Sequence, residues 1–129
     1  MRPMRIGKIN YDCCVNQNKI PILVVFGGFY DHNSRRVYDL VDYFSEKYDK
    51  KLLIGVIEYD HTPELFSLNE ITEIPTLIIF EDGKPYNRIS GNLCEKDIEA
   101  YIRRFFGIFP YEIDELDYLN KRYDNHKIL

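Results

Sequence analysis

A chain of 129 residues has the length of one domain, enough to bury a core without disulfides or metals to hold it together. Its 45% hydrophobic and 15% aromatic content, the latter all Tyr and Phe, excludes a disordered chain. The 17 basic and 21 acidic side chains leave a net charge of −4, so nothing electrostatic draws it to nucleic acid or to an anionic membrane.

The opening Met1-Arg2-Pro3-Met4-Arg5-Ile6 is basic but has no apolar run behind it of the length a secretory signal needs. The longest apolar stretches, Ile20 to Phe26 and Pro75 to Phe80, fall far short of the roughly 20 residues that span a bilayer. A cytoplasmic protein without membrane attachment is the expectation. Cys13, Cys14 and Cys94 form no paired framework, and a disulfide between the adjacent Cys13 and Cys14 would close a strained ring. Reduced thiols in a reducing compartment fit this usage.

In chain order, Arg5 to Ile9 alternate weakly and read as a short edge strand, and the polar stretch Asn10 to Asn18 holds at most a turn of helix. The run Ile20-Pro21-Ile22-Leu23-Val24-Val25-Phe26, closed by Gly27-Gly28, has the pattern of a strand covered on both faces and therefore central in its sheet. From Asn33 to Lys50 the period becomes helical, with Val37, Leu40, Val41, Phe44 and Tyr48 on one side, and Asn33 or Ser34 supplies the N-cap. Leu52 to Ile57 is a second buried strand, and the long crossover between the two strands implies a parallel βαβ unit. Thr62 caps a short helix with Pro63 at its first position, Glu64 in its first turn and Leu65 and Leu68 inward. Leu77 to Phe80 and Tyr86 to Ser90 are joined by an Asp82-Gly83 turn as an antiparallel hairpin. Cys94 to Phe106 is an amphipathic helix with Ile98, Tyr101, Ile102 and Phe105 inward and Gly107 at its end. Beyond Pro110, the spacing of Ile113, Leu116 and Leu119, with acids first and bases last, predicts a helical tail. The expected organisation is a domain over 1–109 and a helical extension over 110–129. The apolar face of that extension covers either the domain or a second copy in a homodimer, since so short a helix is marginal alone.

The fold class is α/β, with a central mixed sheet of four to five strands flanked by helices. The order βαβα, hairpin, closing helix, with Ile74-Pro75-Thr76 before the hairpin, resembles thioredoxin over about residues 5 to 106. The resemblance is carried by Phe26, Asp60-x-x-Pro63, Ile74-Pro75-Thr76-Leu77 with Phe80, the Gly83 turn and Gly91. It implies that Pro75 is cis and that the backbone of Ile74 is a short edge to which an extended peptide pairs. The implied peptide-binding set is Ile74, Pro75, Phe29, Tyr30 and Gly91.

The departures from that family carry most of the functional reading. Where thioredoxins have Trp-Cys-Gly-Pro-Cys, this chain reads Tyr30-Asp31-His32-Asn33-Ser34. Disulfide exchange needs an activated thiolate and a second, resolving thiol, and neither Asp31 nor Ser34 is one. The buried acid and the lysine that the family places beneath its dithiol correspond here to Val25 and Val56. The expectation is a redox-inactive adaptor or chaperone-like module that holds a protein or extended peptide, without a cofactor.

Two other readings stand beside it. One is thiol-disulfide exchange through a non-standard cysteine such as Cys94, just ahead of the last helix. The other is a metal or ligand site from Asp31 and His32 at the end of one central strand and Asp60 and His61 at the end of its neighbour, where open α/β sheets place their sites. Gly27, standing where thioredoxins have a bulky Trp, leaves room for a pocket beside Asp60. Adjacent Cys13 and Cys14 are soft donors with no third Cys or His close in sequence. Phe29 and Tyr30 flank the loop, and Tyr38 and Tyr43 lie off the apolar stripe of the long helix; such aromatics suit protein contacts, and in a chain rich in Ile, Lys, Asn and Tyr they equally reflect composition.

Overall fold

The computed structural model describes residues 3–107. Within them six strands form one mixed sheet in the order β1-β3-β2-β4-β5, with β6 also on β4. Strand β2 (Ile22–Gly27) is buried along its whole length, because its side chains offer nothing for water to solvate and both faces must be covered. It lies parallel to β3 (Leu53–Glu58), with Ile22 opposite Leu53 and Gly27 opposite Glu58. On its other side β4 (Thr76–Glu81) runs antiparallel, with Phe26 opposite Thr76. The α/β class, the parallel pair and the central place of β2 are thus as the sequence predicts.

The sheet has one strand more than the four to five expected, and three of its six strands are short pieces. Strand β1 is only Met4–Arg5, at the sheet edge beside β3. The chain turns away after Ile6, where Asn10 Oδ1 accepts from the Gly7 amide at 2.7 Å, so the expected continuation to Ile9 leaves Ile9 99% exposed. At the hairpin, Asp82 and Gly83 both take positive φ (+55° and +78°), the mirror-image turn that matches strand twist and favours an Asp-Gly pair. The returning strand is broken into β5 (Lys84–Pro85) and β6 (Ile89–Ser90), because Pro85 has no amide to donate to a continuous ladder.

Helix α1 spans His32–Lys47 and buries Val37, Val41 and Phe44. Its N-cap is Asp31, not Asn33 or Ser34, and it stops short of Lys50, whose φ of +72° lies outside the helical region. Helix α2 (Pro63–Leu68) begins at Thr62, whose hydroxyl donates back to the Glu58 carbonyl at 3.0 Å instead of capping the helix. Glu64 in its first turn is held below the usual carboxylate range by its own backbone amide and by Lys8 at 3.0 Å. Its inward residues are Leu65 and Phe66, and Leu68 is 65% exposed. In a helix of 6 residues the phase is set by the first pair to reach the core, and the Phe66 ring meets Phe26 edge-on at 5.4 Å. With Ile22, Val24, Ile57, Ile78 and Phe80 these rings form the core. Each such side chain contributes about 1.5–3 kcal/mol when fully buried.

The chain divides into two compact units at Cys94/Glu95, ahead of the 109/110 boundary expected from the sequence. Ladder bonds tie the strands of the first unit together, whereas helix α3 (Glu95–Phe105) satisfies its backbone within itself. It starts one residue after Cys94; Ile98, Tyr101 and Ile102 are buried and Phe105 half-buried. Arg103 is buried as well, its Nε donating to Glu99 at 2.8 Å one turn earlier. The predicted tail with Ile113, Leu116 and Leu119 lies outside the described residues.

Candidate functional site

The loop between β2 and α1 is organised by one carboxylate. Asp31 Oδ2 accepts from both the Ser34 amide and the Ser34 hydroxyl, each at 2.8 Å. The first bond satisfies a helix-terminal N–H that would otherwise lack a partner. The second locks the Ser34 side chain, and Ser34 Oγ in turn accepts from the Gly28 amide at 3.1 Å. Ser34 is fully buried. The hydroxyl thus has its proton committed to Asp31 and a lone pair committed to Gly28, an arrangement that holds a loop in place and leaves no base directed at an incoming reactant. His32 is exposed, Asn33 half-buried, and Phe29 and Tyr30 stand out at 57% and 84% exposure, their rings edge-to-face at 5.2 Å.

Beneath this loop lies a pair that the sequence did not single out. Glu58, the last residue of β3, accepts from the Phe29 amide with one carboxylate oxygen and from the Tyr38 hydroxyl, at 3.3 Å, with the other. Tyr38 is therefore not a surface aromatic; its hydroxyl reaches under the loop. Burial, reinforced by the neighbouring Glu58 charge, raises its pKa well above the ordinary tyrosine value, so it stays a neutral donor. The hydroxyl stands over Gly27, where a Cβ would lie 2.6 Å from it. The space freed by Gly27 is thus occupied by Tyr38. A cavity of about 400 Å³ opens on the other side of the pair, lined by Arg5, Ile6, Tyr38, Val56, Glu58 and His61 among others. A second of about 350 Å³ has Asp60, His61, Arg5, Phe29 and Tyr30 in its wall. The only sequence signal for Glu58 is an acid ending an otherwise apolar strand.

Val25 and Val56 face each other in register across β2 and β3, with Val25 fully buried and Val56 on the cavity wall. Neither a proton donor nor a cation occupies these two places. The structure brings Ile74 to the loop: an added Cβ on Gly28 would meet Ile74 Cδ1 at 3.0 Å and Asp31 Cβ at 3.7 Å. The Ile74–Pro75 peptide is cis, and the Pro75 carbonyl accepts from the Gly91 amide at 3.0 Å. A shallow cavity of about 240 Å³ next to it is lined by Tyr59, Phe66, Ile71, Thr72, Glu73 and Ile74.

Asp31, His32, Asp60 and His61 are not assembled into a metal centre; among the described residues no group of three or more His, Cys, Asp or Glu side chains is placed to hold an ion. The Asp31 carboxylate is turned inward to cap α1, while Asp60 and His61 look onto the cavity. Cys13, Cys14 and Cys94 are not joined in a disulfide; Cys13 and Cys94 are exposed and Cys14 is buried. No helix among the described residues is long and apolar enough to cross a membrane.

Among known families, the Thioredoxin family profile matches residues 3–104. The chain is 28% identical over 99 residues to the chloroplastic thioredoxin X of Arabidopsis thaliana, covering 75% of this chain and 54% of that protein, so it spans about half that relative's length. It is 27% identical over 99 residues to a thioredoxin of Alicyclobacillus acidocaldarius subsp. acidocaldarius, covering 77% of this chain and 93% of the relative. Identity to the thioredoxin of Porphyra purpurea is 28% over 91 residues, covering 70% and 85%.

Proposed function

Given that this chain belongs to the thioredoxin family, with the family match spanning residues 3–104, we propose that it binds extended polypeptide without exchanging disulfides. The observation that carries this reading is the bond at 2.8 Å between Asp31 and Ser34, the two residues that the resemblance to thioredoxin sets at the family's thiol positions. The pair is a helix cap, and Val25 and Val56, paired in register, are the residues that the resemblance sets in place of the family's buried acid and lysine. Retiring both together is physically consistent, since a buried charge with no chemistry to serve costs desolvation that valine does not.

Binding capacity remains. The Phe29 and Tyr30 rings are exposed in the loop whose Gly28 lies against Ile74, and large aromatic surfaces gain contact area at small entropic cost. No described backbone group pairs with the amide or carbonyl of Ile74, which leaves them open to a partner strand. The working role is an adaptor or chaperone-like component in a reducing compartment.

A second reading, favoured by the relatives' identity as thioredoxins, is thiol-disulfide exchange through Cys94, which is exposed just ahead of α3. An insulin-reduction assay with dithiothreitol separates the two. The proposal expects no turnover above the reductant alone; turnover that disappears in Cys94→Ser overturns it in favour of the second reading. In parallel, fluorescence anisotropy with a labelled, permanently unfolded polypeptide is expected to register binding that weakens at least about tenfold in Phe29→Ala/Tyr30→Ala, the range of a paired aromatic hot spot.

A further inference from the structure

The end of β3 carries a crevice to which the peptide-binding reading assigns nothing. Val56 and Glu58, two residues apart, share one face of the strand. Arg5 of β1 pairs in register with Val56, so its side chain leaves the sheet on that same face. Tyr38 reaches this face from α1, its hydroxyl on Glu58 at 3.3 Å. Gly7 puts no side chain into the space beside it, and a Cβ built there would meet nothing within 4 Å. The cavity of about 400 Å³ shares Arg5, Phe29, Glu58 and His61 with that of about 350 Å³, so the two adjoin. Each has the size of a small-molecule site, about 300–1,000 Å³.

One end of the crevice is apolar and the other carries both signs of charge. Ile6, Val56 and Tyr38 line the first cavity alone, and Tyr30 and Asp60 the second alone. Several polar groups here are already engaged: both Glu58 oxygens accept hydrogen bonds, from the Phe29 amide and the Tyr38 hydroxyl, and the Thr62 hydroxyl donates to the Glu58 carbonyl. By contrast, among the described residues no hydrogen bond or ion pair engages the side chains of Arg5, Asp60 or His61. The turn that carries Asp60 and His61 is held from behind. The Tyr59 amide donates to the Gly27 carbonyl at 2.9 Å, and the His61 and Thr62 amides to the Glu58 carbonyl at 3.2 and 3.1 Å. The walls are therefore set before a ligand enters, which keeps the ordering cost of binding low.

We infer that this crevice binds a free α-amino acid with a large apolar side chain, Arg5 taking its carboxylate, Asp60 its ammonium group, and Ile6 and Val56 its side chain. Charge decides the class. A guanidinium offers a carboxylate paired, charge-assisted donors. A simple carboxylic acid in the same place would face the unpaired Asp60 and the Glu58 charge, and a simple amine would face Arg5; a zwitterion satisfies both signs. His61 adds a further polar group at the charged end. Binding makes and breaks no covalent bond. The inference rests on the cavity walls and is independent of whether the Ile74-Pro75 edge holds a peptide.

The test is a titration of the full, isotope-labelled chain with L-phenylalanine, followed by backbone amide chemical shifts. Saturable shifts at Gly7, Val56 and His61 are expected. Phenylpropionate, which lacks the ammonium group, and phenethylamine, which lacks the carboxylate, should each bind at least about tenfold more weakly, as when a charged hydrogen-bonding group is left without its partner. Arg5→Gln, at an exposed position, should weaken phenylalanine binding by at least about tenfold, and Val56→Phe should abolish it by filling the apolar end. Thermal melts establish that each variant is folded, and should Val56→Phe not fold, Arg5→Gln decides alone. The inference is overturned by an absence of saturable shifts, by either analogue binding as tightly as phenylalanine, or by wild-type affinity in a folded variant.

Discussion

Gly27 is a small residue with a large consequence, because the Tyr38 hydroxyl occupies the place of its missing side chain. Gly27→Ala would drive a Cβ to 2.6 Å from that hydroxyl and 3.1 Å from Ser34, forcing Tyr38 off Glu58. The expected loss is about 1–3 kcal/mol by urea denaturation, as for other overpacked sites, and Gly27→Ala/Tyr38→Phe should recover part of it. Tyr38 also sets a pH dependence. Its folded pKa is raised by burial first and by the Glu58 charge second, so its contribution to stability is complete below the ordinary tyrosine value of about 10 and declines as pH rises above it. Stability measured upward from there should fall in the wild type and fall less in Tyr38→Phe; parallel curves would remove Tyr38 from this role. Asp31→Ala takes away the cap and the Ser34 partner together, and a loss of about 0.5–2 kcal/mol is expected from the cap alone. None of these pairings was readable beforehand, since Tyr38 and Glu58 are 20 positions apart and meet only when α1 lies over β3.

The elements differ in how plainly the chain declares them. Strand β2, its parallel partner β3 and the Asp82-Gly83 turn follow from local chemistry: an unbroken apolar run must be covered, and two positive-φ positions favour an Asp-Gly pair. The cap of α1 did not follow, because Asp31, Asn33 and Ser34 all carry side chains that can cap. Burial of Ser34 decided among them by drawing the helix start inward. Leu68 and Phe66 of α2 were likewise interchangeable by pattern, and the Phe26 ring selected Phe66. At this scale the clearest test is Val25→Asp, which puts an acid back into a fully buried strand position. With Val56 opposite and no cation described there, unfolding should become easier by several kcal/mol, or the introduced carboxyl should titrate far above the usual range.

For the whole molecule, three free cysteines mean that no covalent crosslink supports the fold. Thermal melting with and without dithiothreitol should therefore coincide within error; a fall of several degrees under reductant would reveal a disulfide and revive the thiol-exchange reading. Composition, charge and apolar periodicity were by themselves enough to determine the α/β class and the order of the main elements, because each of these is a property of residues near one another in the chain; the missing dithiol at Asp31–Ser34 followed from the resemblance to thioredoxin. Tertiary structure alone decided that Asp31 and Ser34 bond each other, that Tyr38 fills the space over Gly27, and that Ile74 lies against Gly28. Contacts of that kind depend on how separate elements approach in space, and local pattern carries no information about the angle or distance at which they meet.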